Sequence, residues 1–201
     1  MQIDPAVAAG LDVYHALVGL VTPRPIAWVT TIDAAGRVNL APFSFFNAVS
    51  SSPPVVGFCP ALKRDGTKKD SLANLAEVGE FVVNVAVAAL AVQMNLTAKE
   101  VPHEESEVAL AGLHLLPSAV VKPPRVAESP AHLECRVRQI IAFGTGPGGG
   151  NLVLGDVVRI HIDDAVLGSN GRPDPRKLQT IARLGGDFYC RTTDLFEMPR
   201  P

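Results

Sequence analysis

The stretch Arg24 to Cys59, RPIAWVTTIDAAGRVNLAPFSFFNAVSSSPPVVGFC, decides the fold, and the basic segment Lys63 to Ser71, KRDGTKKDS, follows it closely. Ile26 to Ile32 is rich in β-branched and aromatic residues, Asp33-Ala-Ala-Gly36 supplies a turn, and Val38 to Pro42 returns. That pattern predicts a β-hairpin. The next residues read as a polar-aromatic loop. Val55 to Cys59, entered through Pro53-Pro54, is expected as a third strand, because proline sits at strand starts and edges. Asp70 is expected to cap a helix over Ser71 to Val78, with Leu72, Leu75, Ala76 and Val78 on one face and Gly79 as its stop.

Outward from this centre, Leu11, Tyr14, Leu17 and Val18 recur at helical spacing before Thr22-Pro23, which predicts an amphipathic N-terminal helix. Phe81 to Val87 reads as a strand, and Ala88 to Leu96 and Glu104 to Leu110 as short helices. Ala131 to Phe143 and Leu152 to Ile162 are long strand candidates joined by the glycine-rich connection GTGPGGGN. The tail is expected to hold a helix over Arg176 to Arg183, a break at Leu184-Gly185-Gly186 and a last strand, Asp187 to Thr192. Hairpin succession with helices only at edges predicts a mainly β, closed antiparallel barrel of Greek-key type rather than βαβ units. The expectation is a single domain over 1–201, with the core barrel at 20–165 and the C-terminal helix and strand, 175–192, packed on it.

Composition narrows the function. In 201 residues, 18 basic and 20 acidic side chains leave the chain near neutrality, so no uniform field attracts nucleic acid or an anionic membrane. The apolar run Phe81 to Met94 is broken by Asn84 and Gln93 and is too short to span a bilayer. The start, MQIDPAVAAG, lacks the basic region of a signal peptide. Three cysteines, Cys59, Cys135 and Cys190, form no close pair, which argues against a disulfide framework or zinc knuckle and for a reducing cytoplasm.

Several motifs read as structural. Gly144, Gly146 and Gly149 fit G-x-G-x-x-G, but Pro147 interrupts the motif and a strand pattern follows it. A dinucleotide fingerprint must open a helix, so this is a hairpin turn. His103-Glu104 has no second histidine four residues on, and the other histidines are scattered, so no metal site is expected. Neither G-x-S-x-G nor a Walker lysine is present.

The segment from Thr30 to Asn47 resists a packing-only explanation. Trp28, Thr30, Thr31, Asn39, Ser44 and Asn47 place polar groups beside Phe43, Phe45 and Phe46 at strand ends. An ordinary barrel rim would also show this mixture. Alternatively, hydroxyls and amides bond the edge of a heterocycle while the rings cover its faces. Lys63, Arg64, Lys68 and Lys69, alone, make a solvated basic loop. Placed before a helix N-terminus with Ser71, they make an anion cradle.

RPIAWVTT (Arg24 to Thr31), NLAPFSFFNAVSSSPP (Asn39 to Pro54), KKDSLANL (Lys68 to Leu75), GEFVVNV (Gly79 to Val85), LGDVVRIHIDD (Leu154 to Asp164) and RLGGDFYCRT (Arg183 to Thr192) together resemble the flavin reductase-like family, the FMN-binding split barrels. The resemblance is nearly full length. It implies that Thr30, Thr31, Asn39, Pro42, Phe43, Ser44, Phe45, Phe46 and Asn47 line a flavin ring and ribityl chain, with Trp28 among them. Lys69 and Ser71 would hold the phosphate, and Arg183 to Gly186 with Tyr189 would close the pocket. Many flavin reductases carry a histidine shortly before the strand at Leu152, where this chain has Gly150-Asn151, so that contact is not carried over.

The implied activity is that of an FMN-dependent oxidoreductase, with FMN favoured over FAD and NAD(P)H as co-substrate, in which hydride passes from nicotinamide to flavin N5. The chemistry is flavin-centred and no catalytic side chain is assigned. Backbone amides of Ala41 to Ser44 are candidate donors to the ring. A homodimer burying Phe45 and Phe46 and a monooxygenase partner are expected. Two alternatives stand beside this: an FMN-binding electron carrier that does not use nicotinamide, and a non-enzymatic ligand-binding barrel.

Overall fold

The computed structural model describes residues 1–102 and 104–199; His103 therefore lies outside the described residues. The chain opens with α1 (Gly10–Leu20), β1 (Arg24–Pro25), β2 (Ala27–Ile32), β3 (Val38–Phe43), β4 (Phe46–Ser51) and β5 (Pro54–Phe58). Next come α2 (Asp70–Glu77), β6 (Glu80–Val85), α3 (Ala91–Leu96) behind a single 3-10 turn, and α4 (Glu107–Leu110). A strap with the short pair β7 (Leu115–Leu116) and β8 (Arg125–Val126) leads into the long strands β9 (Ala131–Ala142) and β10 (Asn151–Ile162). The tail holds α5 (Pro175–Leu178), β11 (Ile181–Arg183) and β12 (Tyr189–Arg191).

Seven strands form one antiparallel sheet in the order β3-β2-β6-β9-β10-β5-β4. Its two edges, β3 and β4, are consecutive in sequence and joined only by Ser44 and Phe45. Two residues cannot cross a flat seven-stranded sheet whose strands lie about 4.8 Å apart, so the sheet curls until its edges meet. No ladder pairs β3 with β4. The barrel is therefore split along that seam: hairpin succession alone predicted closure, and the resemblance to the split barrels implied the gap that is found.

Two cores follow from the alternation of β2. Ala27 and Val29 face a cluster with Phe58, Phe81 and Val153, capped by Leu72 and Leu75 of α2. Trp28 faces the opposite cluster with Leu40, Met94 of α3, Val108 of α4 and Val126. β2 is thus buried on both sides. β10 crosses Phe81 closely enough that a Cβ at Gly155 would come within 2.3 Å of the Phe81 ring, which is itself fully buried.

The strap between α4 and β9 is held by polar side chains of the barrel. Glu134, fully buried, accepts from the Ala119 and Val120 amides at 2.7 Å each and lies 2.6 Å from His161 Nε2. Asn84 Oδ1 accepts from Val126 N at 2.8 Å.

Four local expectations are corrected. Phe46–Ser51, read as a loop, is edge strand β4. Lys69, not Asp70, occupies the cap position of α2, and Asp70 is its first residue. The helix expected from Arg176 to Arg183 is one turn, ended by Gln179 in the left-handed region at φ 47°, and Ile181–Arg183 is strand β11. The helix expected from Glu104 starts at Glu107, where Ser106 Oγ accepts from Ala109 N.

Candidate functional site

A cleft between β3, α1, α2 and the tail opens into two adjoining cavities. The larger, about 470 Å³, lies between Tyr14, His15 and Val18 of α1, the barrel residues Arg24, Pro42 and Ser44, and the tail residues Arg183 and Tyr189. The smaller, about 150 Å³, is lined by Asn39, Pro42 and Phe43 of β3, by Lys63, and by Lys69 and Ser71 at the start of α2. Pro42 and Ala98 line both. The two are therefore one groove running along β3.

The smaller end is built for an anion. Asn39 Nδ2 donates to Ser71 Oγ at 2.8 Å, and Asn74 Nδ2 donates to Thr31 Oγ1 at 3.1 Å. Accepting from Asn39 leaves the Ser71 hydroxyl proton free to donate. Ser71 also stands in the first turn of α2, where unpaired amides and the helix dipole favour negative charge. Lys63, Lys69 and Lys99 line this end together with Asp70, Glu100 and Glu107; Lys69 and Lys99 form no ion pair among the described residues, while Lys63 acts on the Asp65 carboxylate. Of the carboxylates on the same wall, Glu107 accepts from Leu40 N at 3.3 Å.

The larger end is framed by Arg24. This guanidinium is buried and donates to Val18 O at 2.6 Å, Val21 O at 2.7 Å and Leu184 O at 3.0 Å. It thereby ties α1 and the tail turn to the barrel, and Gly185 lies against Gly19 closely enough that a Cβ would sit 3.2 Å from Gly19 Cα. Burial lowers the Arg24 pKa from its ordinary value; Tyr14 opposes this and Arg183 adds to it. The Arg183 guanidinium stacks 4.5 Å from the Tyr189 ring and donates to its hydroxyl.

The alternation of β3 narrows which backbone amides face the groove. Leu40 N points to Glu107, away from β2. By the two-residue period, the Ala41 and Phe43 amides point into the ladder with β2, and Pro42 has none. Within Ala41 to Ser44, only the Ser44 amide is left as a donor.

Of the residues singled out from sequence, Asn39, Pro42, Phe43, Ser44, Lys69, Ser71, Arg183 and Tyr189 line the groove, with Thr31 bonded behind them. Trp28 and Thr30 do not line it: both are fully buried, with Trp28 Nε1 donating to Thr97 Oγ1 at 2.9 Å and Thr30 Oγ1 to Pro124 O at 2.6 Å. Phe45 is 44% exposed, its ring 5.7 Å from the Arg24 guanidinium at the edge of the larger cavity. Phe46 lines a separate space with Pro25 and Ile181, and Asn47 is exposed on β4. Sequence reasoning missed Tyr14, His15, Lys99 and Ala98, which come from elements that only the tertiary fold brings to β3. Tyr14 carried a signal in its place on the amphipathic helix, but it was read as packing.

Residues 19–175 match the family model described as "Flavin reductase like domain". An uncharacterised protein of Halalkalibacterium halodurans is 40% identical over all of this chain and 97% of its own length. The crystal structure of nitrilotriacetate monooxygenase component B from Bacillus cereus superposes with TM-score 0.92 at 34% identity, covering 98% of each chain. That of the 2-nitrobenzoate 2-nitroreductase of Pseudomonas fluorescens gives TM-score 0.89 at 31% identity, covering 100% of this chain and 96% of the other. With its split antiparallel barrel and with a groove of these residues along β3, the chain belongs to the flavin reductase-like family of flavoprotein oxidoreductases.

Proposed function

We propose that the chain is an FMN-dependent reductase that takes hydride from NADH or NADPH. The observation that carries this is the continuity of the groove: lysine side chains, the Ser71 hydroxyl and the first turn of α2 at its narrow end, aromatic and guanidinium groups at its wide end. The wide end falls in the size range of small-molecule sites, and the groove's residues fit a planar ring with a phosphate-terminated tail. The narrow end, at about 150 Å³, suits a terminal phosphate better than an adenylate, which favours FMN over FAD.

When bound, the flavin supplies the hydride-accepting chemistry. Lys69 and Ser71 hold the phosphate, and Asn39 orients the Ser71 hydroxyl. The Ser44 amide offers a hydrogen bond to the ring edge. Arg24 fixes α1 and the tail turn as the outer walls, so Tyr14 and Tyr189 limit water at the ring.

The likeness to a monooxygenase component B supports service to a flavin-consuming monooxygenase. Exposed Phe45 and Val49, with Val158 and Ile160 of β10, support a homodimer that covers them. Absorbance of the purified protein followed by anaerobic titration with NADH and then NADPH tests the reading. Flavin bands that bleach with either nucleotide are expected. Bound flavin that neither nucleotide bleaches would favour an electron carrier fed by another protein, and failure to retain or bind FMN would end the reading altogether.

A further inference from the structure

Two residues, Pro42 and Ala98, line both cavities of the groove, so they form its waist, the passage between the wide and narrow ends. They come from different elements: Pro42 belongs to β3, and Ala98 follows the last turn of α3. One side chain reaches both. Trp28 of β2 is the ladder partner of Pro42, so the two side chains share a face of the sheet. Its indole Nε1 donates to Thr97 Oγ1 at 2.9 Å, next to Ala98, and Thr97 Oγ1 donates in turn to Met94 O at 2.8 Å. Trp28, Met94 and Thr97 are each at most 2% exposed, so the indole cannot reorient without breaking a buried hydrogen bond. This bond ties the end of α3 to the β2–β3 hairpin.

We infer that Trp28 is a positioning residue that sets the width of this waist, and thereby selects the chain that joins a ligand's ring to its phosphate. This role presupposes that the groove holds a flavin. A ring at the wide end and a phosphate on Lys69 and Ser71 belong to one molecule only if the link between them passes Pro42 and Ala98. Trp28 holds Pro42 through the ladder and Ala98 through Thr97, so both jaws are referred to one buried ring.

Fluorescence titration of the purified protein with FMN, riboflavin and lumiflavin tests this, because the first two carry the ribityl chain and lumiflavin has a methyl group in its place. Thr97→Val keeps the β-branched shape and removes the acceptor. It is expected to weaken FMN and riboflavin alike by about two- to tenfold, the range that one neutral hydrogen bond is worth, and to leave lumiflavin unchanged. Thr97→Ser is expected to restore both. Trp28→Phe, which removes the donor, is expected to repeat the pattern, and the two changes combined to lose no more than either alone. Ala98→Leu, at an exposed position, narrows the waist without touching the core, and is expected to weaken both ribityl ligands at an unchanged melt temperature. FMN bound as tightly by Thr97→Val as by the wild type, no recovery with serine, lumiflavin weakened in step with the others, or Ala98→Leu binding FMN normally each overturns the assignment and leaves the flavin reading standing. Wild-type protein that binds none of the three would end the flavin reading itself, so the two failures are distinguishable.

Discussion

At the scale of single residues, Lys69 is the sharpest test of the groove. A charged hydrogen bond to phosphate contributes roughly 1.5–3 kcal/mol, so Lys69→Ala should weaken FMN about 10- to 150-fold and riboflavin hardly at all. Equal losses for both ligands, measured by fluorescence titration, would place the phosphate elsewhere. His132 gives a second test. Burial lowers its pKa from the ordinary 6.5, its Nε2 donates to Val126 O at 2.8 Å, and its Nδ1 has no partner. The native state therefore favours the neutral ring, and the unfolded chain binds the extra proton. Stability is then complete above about pH 6.5, declines as pH falls from there towards the lower native value, and levels off below it. Thermal melts from pH 7.5 to 5 should show this loss, and His132→Asn should flatten it; a melt temperature constant over that range would contradict the assignment. Thr30 and Thr31 show what the sequence could say at this scale. Both were legible as polar groups on a strand, but side-chain parity depends on the ladder. Thr31 meets Asn39 and Asn74, whereas Thr30 turns to Pro124 in a strap that arrives over ninety residues later.

At the scale of elements, the β2–β3 hairpin, α2 and the long β9–β10 pair were readable, because alternation, a left-handed Gly36 turn and a left-handed Gly79 stop are local signals. β4 was not, since as an exposed edge strand it contributes little more than Phe46 to the core, and the serines of its sequence, FNAVSS, read as a loop. The tail helix was overextended because Gln179 takes a left-handed conformation that is usually marked by glycine or asparagine. The β6–β10 crossing offers a direct measurement. Gly155→Ala would drive its Cβ into the buried Phe81 ring, and overpacking of this kind typically costs about 1–3 kcal/mol. Urea denaturation should show that loss, and pairing it with Phe81→Leu should recover part of it. An unchanged midpoint for Gly155→Ala would mean that the strands separate freely there.

At the scale of the whole molecule, the barrel was legible as antiparallel and mainly β from its pattern, whereas its split came only through the family resemblance, because no residue announces the ladder that is missing between β3 and β4. Cavity walls drawn from α1, the tail and α3 depend on long-range packing for the same reason. Arg24 tethers two of those walls through three carbonyls, so Arg24→Ala should release them together. Faster chymotrypsin cleavage after Tyr14 of α1 and faster trypsin cleavage after Arg183, at a melt temperature lowered by several degrees, are expected; unchanged proteolysis would leave the tether without a role. Sedimentation at micromolar concentration should show twice the 21.2 kDa chain mass, and a monomer alone would oppose the proposed pairing.

The two-residue link Ser44-Phe45 joins opposite margins of the sheet and also borders the groove. Like a clasp on a bracelet, it makes circumference and ligand site one object. Cutting that peptide bond, or lengthening it with flexible glycines, should let the margins drift apart and discharge the ligand while the seven strands keep their neighbours.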